Sequence, residues 1–154
     1  MKKILFFTMM AGMLMTVSCR NDDKEEEVTS VIGNWKVQKM TAKGTLTSGV
    51  FPVPIDNSSE SNCIKESKLD LNADKSGYVL VKQDITGNCD VVINENITYV
   101  YDPGIKVITV KYNGTSEDIK VIKVTDSELT IERQTNLQTS MGIFNGKITL
   151  NLTK

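Results

Sequence analysis

The sequence predicts an all-β domain, an antiparallel barrel or sandwich of about eight short strands. Three observations carry this. From residue 30 onward, apolar and polar residues alternate in short runs. The cleanest is GKITLNLTK (146–154), where Ile148, Leu150 and Leu152 face one way and Thr149, Asn151 and Thr153 the other. Strong turn signals punctuate the runs, notably Pro103-Gly104 and Asn113-Gly114. No segment beyond the acidic stretch that ends at residue 29 carries a helical pattern.

The strands follow in order. VIGNWKVQKMT (31–41) is rich in strand formers, and ESKLDLNA (66–73) alternates through Leu69 and Leu71. GYVLVKQDIT (77–86) comes after a turn built from Asp74, Lys75, Ser76 and Gly77. ITYVYD (97–102) ends at Pro103-Gly104, and IKVITVKY (105–112) ends at Asn113-Gly114, the strongest short hairpin signal. EDIKVIKVT (117–125), ELTIERQT (128–135) and residues 146–154 complete the set. The expected inward residues are Trp35, Val37, Leu69, Leu71, Val79, Val81, Tyr99, Tyr101, Ile108, Val110, Ile122, Leu129, Ile131, Leu150 and Leu152. Closure into a barrel would remove sticky sheet edges. Two segments read as loops, 42–62 and 136–146. The first is long for a connection and holds GVFPVPI, whose Pro52 and Pro54 forbid a central strand.

The N-terminus has a different character. Lys2 and Lys3 precede an apolar run from Ile4 to Met15, then small residues up to Cys19. That is the layout of a secretory signal peptide, and the run is shorter than the roughly 20 residues of a membrane span. A signal ending in cysteine resembles a bacterial lipoprotein signal. The resemblance implies that residues 1–18 are removed, that Cys19 carries the lipid, and that 19–29 is an acidic tether. Arg20 to Glu27 is too charged to pack. The acidic run also resembles the surface-export signal of Bacteroidota lipoproteins. This implies an outer-membrane protein, lipid-anchored and exposed at the cell surface.

Residues 30–154 then form one domain. Its IGNWKV resembles the Gly-x-Trp opening of lipocalin-like barrels, with Gly33 at the tight entry and Trp35 plugging the closed end. CIKESKLDLNADKSGYVLV (63–81) and IKVIKVTDSELTIER (119–133) resemble later stretches of lipocalin-like domains in Bacteroidota lipoproteins. The resemblance implies an antiparallel up-and-down lipocalin-like β-barrel. Lipocalins place an arginine against the tryptophan. Arg133, the one arginine beyond the tether, is the candidate, with an exposed outer-face position as the alternative. The lipocalin Thr-Asp-Tyr turn is absent, since Ser127 follows Thr125-Asp126.

Composition bears on chemistry. The chain has no histidine, which removes Ser-His-Asp and Cys-His catalysis within one chain. The glycines are scattered through turns and form no phosphate loop. Asp70, Asn72, Asp74 and Ser76 alternate as in a calcium loop, but Lys75 stands where that loop needs glycine and Val81 where it needs glutamate. The stretch reads as a hairpin turn, with no metal and no cofactor. Removing Lys2 and Lys3 from 18 basic residues, against 19 acidic, leaves the mature chain at −3, which argues against nucleic acid. An oxidising compartment predicts a disulfide between Cys63 and Cys89, two buried thiols being the alternative. The expectation is a non-enzymatic protein. In one reading its barrel holds a small apolar ligand under Val50, Phe51, Val53 and Ile55, with Phe144 lining the same mouth. In the other, its loops contact a protein or glycan. Phe51 packed on the rim is the plainer outcome.

Overall fold

The computed structural model describes residues 30–49, 51–84, 87–139 and 141–154. The expected signal peptide, Cys19, the expected tether and Val50 lie outside the described residues. Nine strands and one short helix are present among those described: β1 (Gly33–Ser48), β2 (Phe51–Ser59), α1 (Asn62–Lys65), β3 (Lys68–Leu71), β4 (Ser76–Asp84), β5 (Cys89–Asp102), β6 (Val107–Tyr112), β7 (Thr115–Val124), β8 (Glu128–Thr139) and β9 (Gly142–Thr153). All pairings are antiparallel between chain neighbours, except that β1 also pairs with β3 and β9. The β1–β9 ladder closes eight of these strands into an up-and-down barrel.

The ninth strand corrects an expectation. Residues 42–62 are not a loop. β1 runs on to Ser48 and pairs with β2 from Met40↔Ser59 to Ser48↔Phe51. The resulting arm stands beside the barrel mouth. Pro52 and Pro54 are tolerated because β2 is the last strand of the sheet. Neither can donate to a ladder, and they share one side of the backbone. The alternate residues therefore carry the bonds to β1, and the prolines lie on the free edge.

Two other boundaries and one side-chain orientation differ. Residues 136–146 are strand on both sides of a tight turn, with Leu137 opposite Phe144. β5 begins at Cys89, eight residues before the expected start. Ile122 was expected inside and is exposed. A bulge between Val121 and Lys123 turns it out and leaves Val121 and Val124 on the core side.

The base of the barrel is a dry layer. Trp35, Leu71, Tyr99, Ile108 and Leu129 are all buried there, Trp35 completely. Trp35 Nε1 donates to the Val31 carbonyl at 2.8 Å, which satisfies its one polar group. The β3–β4 turn is closed by Asp74, whose carboxylate accepts from the Ser76 amide and hydroxyl. The Tyr99 hydroxyl donates to the Asn72 carbonyl at 2.7 Å.

β3 is only four residues long; above it β2 takes over its side of β1, and among the described residues no ladder joins β2 to β4. Buried Ser67 bridges the gap. Its carbonyl accepts from the Val37 amide at 3.0 Å and its hydroxyl accepts from the Lys82 amide at 2.8 Å. α1 fills the rest with Cys63 and Ile64, both buried. The Cys63–Cys89 disulfide then ties α1 to the start of β5.

Candidate functional site

Strand parity decides what the barrel encloses. In β8 the inward residues are Leu129, Ile131, Arg133, Thr135 and Leu137; in β9 they are Ile148, Leu150 and Leu152. Above the dry base, Val37, Leu69, Ile97, Val110, Ile131 and Leu152 form a floor. Over this floor lies a cavity of about 280 Å³, also lined by Met40, Val81, Ile93, Ile119 and Leu150. Trp35 and the other base residues do not line it. The cavity therefore lies on the side of the floor away from Trp35. Its end of the barrel is formed by the β1–β2, β4–β5, β6–β7 and β8–β9 turns.

Bulky inward residues do not fill this barrel. Most of them pack at base and floor level, while β1, β8 and β9 continue well above it. Close approach between β1 and β9 shapes the upper wall. Gly44 lies opposite Gly146, and a Cβ on Gly146 would fall 2.3 Å from the Lys43 carbonyl oxygen.

Lys68 (paired with Asp70 at 3.4 Å), Gln83 and Thr135 interrupt the apolar lining singly, and one hydrogen-bonded cluster interrupts it as a group. The Tyr112 hydroxyl and Arg133 Nη2 both donate to Glu117 Oε1, each at 2.7 Å. The hydrogen bond to Glu117 holds the Tyr112 phenol above its ordinary pKa, with burial adding to the effect. Arg133 acts the other way on the same phenol and is outweighed.

A family model described as a lipocalin-like domain matches residues 31–131. The chain belongs to the lipocalin-like domain family. No curated protein matches it. In this lipocalin-like domain the matched span runs from the tryptophan strand through the first third of β8.

The cation beside Trp35 is not the expected one. Lys154 Nζ lies 4.7 Å from the Trp35 ring centroid. Gly33 leaves the room for it, since a Cβ there would fall 2.5 Å from Lys154 Cε. Arg133 is corrected to the cavity wall. Leu129 shares the partner Leu152 with Val37, two residues beyond Trp35, and Arg133 is four positions further along β8, about 13 Å along the strand.

The expected lining residues of this lipocalin-like domain are also corrected. Phe51, Val53 and Ile55 do not line the cavity. They sit opposite Ser48, Leu46 and Gly44 on the β1–β2 hairpin at the mouth. Phe51 is 76% exposed and Val53 is exposed too, so neither packs on the rim. Phe144 is buried on the upper wall, paired with Leu46 and with Leu137, and does not itself line the cavity, although Leu137 does. Sequence reasoning passed over Met40, Tyr112, Glu117 and Thr135. The signal for two of them was present. With Val110 inward, alternation makes Tyr112 inward, and the Asn113-Gly114 turn sets Glu117 opposite Val110.

Proposed function

We propose that this chain is a non-enzymatic, lipid-anchored carrier. In this reading it is an envelope lipoprotein of the Bacteroidota type, acylated at Cys19 and held at the outer membrane. Its lipocalin-like barrel faces the outside of the cell and takes up a small apolar molecule. The observation that carries the binding part is the cavity of about 280 Å³ with its apolar floor and walls. An engineered cavity of about 150 Å³ binds benzene, so this one suits a molecule of roughly a dozen non-hydrogen atoms. The polarity switch at Cys19 supports the anchor, and the acidic run after it supports surface display.

The test of binding is native mass spectrometry of protein purified from its own host, read for co-purified small molecules. It is paired with Val110→Trp, which fills the floor. Loss of the adduct in a folded Val110→Trp protein is the expected result. An adduct that survives the filling places the ligand elsewhere and ends the carrier reading. For the anchor, Cys19→Ala releases the protein from the membrane fraction; retention there with an unchanged mature mass refutes it. Surface display predicts digestion of the domain by protease added to intact cells.

A second reading rests on the arm. The exposed face of Phe51 and Val53 is a contact surface for a protein or glycan partner. Phe51→Ser separates the two readings. Weaker uptake of an apolar probe makes the arm part of the carrier's mouth, and unchanged uptake leaves the arm to a partner.

A further inference from the structure

The hydrogen bonds of the Tyr112–Glu117–Arg133 cluster are unevenly distributed. Both donors converge on one carboxylate oxygen, Glu117 Oε1. Among the described residues, no hydrogen bond reaches Glu117 Oε2, and Arg133, which also reaches the Tyr112 hydroxyl, has more N–H groups than these two contacts use. A guanidinium offers five N–H donors and a carboxylate accepts at both oxygens. The cluster thus presents a charged acceptor and a charged donor side by side on an apolar cavity wall. It is partly sheltered, the Glu117 side chain being 21% exposed and that of Arg133 35%.

Charge balance narrows what such a wall accepts. Glu117 and Arg133 neutralise each other at 2.7 Å. A carboxylate head brought to Arg133 meets the Glu117 charge, and an ammonium brought to Glu117 meets Arg133. An uncharged group that both donates and accepts meets neither conflict. It can give its proton to Oε2 and take one from the guanidinium. A purely apolar molecule would cover both groups and leave them unpaired, which is costly.

We propose that the ligand is a small amphiphile with an uncharged head that both donates and accepts hydrogen bonds, an alcohol or a primary amide, held by Glu117 and Arg133. Its hydrocarbon part lies against Val37, Leu69, Val81, Ile93 and Leu150. This rests on the carrier reading and specifies its ligand class.

The experiment titrates the mature protein with a matched series: nonane, nonanol, nonanamide, nonanoate and nonylammonium, by calorimetry at neutral pH. Nonanol and nonanamide bind about tenfold more tightly than the other three, as a hydrogen bond to a charged group warrants. In Glu117→Gln the opposing charge is gone, so nonanoate gains about tenfold over the unaltered protein while nonane does not change. If nonane matches nonanol, or a charged head binds tightest in the unaltered protein, the head-group assignment is overturned and the carrier reading stands. If none of the five binds, the carrier reading falls and this proposal with it. Should Glu117→Gln not fold, the series on the unaltered protein decides alone.

Discussion

Removing the Cys63–Cys89 disulfide tests how the gap above β3 is held. The perturbation is the double change Cys63→Ala/Cys89→Ala. The two residues are 26 apart in sequence. Closing a loop of that length removes about 12 cal/mol/K from the unfolded chain, or about 3.5 kcal/mol at room temperature. A domain the size of residues 30–154 gains about 0.26 kcal/mol/K of entropy on unfolding. The melting temperature should therefore fall by about 13 °C. The assay is thermal unfolding followed by circular dichroism, repeated on the unaltered protein under reducing conditions. Reduction keeps the sulfur atoms in place, so agreement between the two assigns the drop to the bond and not to lost side-chain volume. Hydrogen exchange adds the location: α1 and the Lys82 amide bonded to Ser67 should lose protection first. A drop below about 4 °C, roughly 1 kcal/mol, refutes the loop-closure argument and leaves Ser67 and α1 sufficient to close the wall.

Trp35→Ala should cost about 3 to 5 kcal/mol, the range for truncating a large core residue, measured by denaturant unfolding. Lys154→Ala should cost under about 1 kcal/mol and shift the tryptophan emission, whereas Arg133→Ala should leave that emission unchanged. Gly146→Ala forces a Cβ to 2.3 Å from the Lys43 carbonyl oxygen and should destabilise by about 1 to 3 kcal/mol, with loss of exchange protection along β1–β9. Tyr112 should ionise above the ordinary tyrosine value of about 10, read from phenolate absorbance. Its raised folded-state pKa means that its contribution to stability is whole below about pH 10 and is lost as pH rises through the folded value.

The barrel was legible in the sequence because most of its strands alternate around known turns. Leu69 and Leu71, Ile108 and Val110, and Leu150 and Leu152 all sit on the interior side by period alone. Alternation fails where the ladder is irregular. At Val121/Lys123 an extra residue changes the parity, and nothing in IKVIKV marks which residue is the extra one. The first half of β5 hid for another reason. CDVVINEN has acids and amides on an exposed stretch, and its strand state comes from pairing with β4. β2 hid behind its prolines, which rule out a central strand but not a terminal one. The end of the barrel that holds the cavity, away from Trp35, was legible; the volume was not. That volume depends on how far β1, β8 and β9 continue above the floor, and the sequence gives those continuations the character of loops. Arg133 was misplaced because the sequence names one arginine and does not say at which height in the barrel it points inward. Lys154 was missed because a terminal residue carries no pattern.

The free edge of β2 has a consequence for copies of this protein crowded together. A strand with an unpaired side is a seed for polymerisation: the edge of one molecule can template the edge of the next, and the ribbon grows without closing. Here the edge is interrupted. Pro52 and Pro54 remove two of the N–H donors that a growing ribbon would need, and Asp56 follows on the same side with a charge. The sheet ends in a stop signal written into the backbone. With alanines at 52 and 54 the same arm would offer an unbroken adhesive border, and solutions of the protein would be expected to gel or precipitate more readily than those of the native chain.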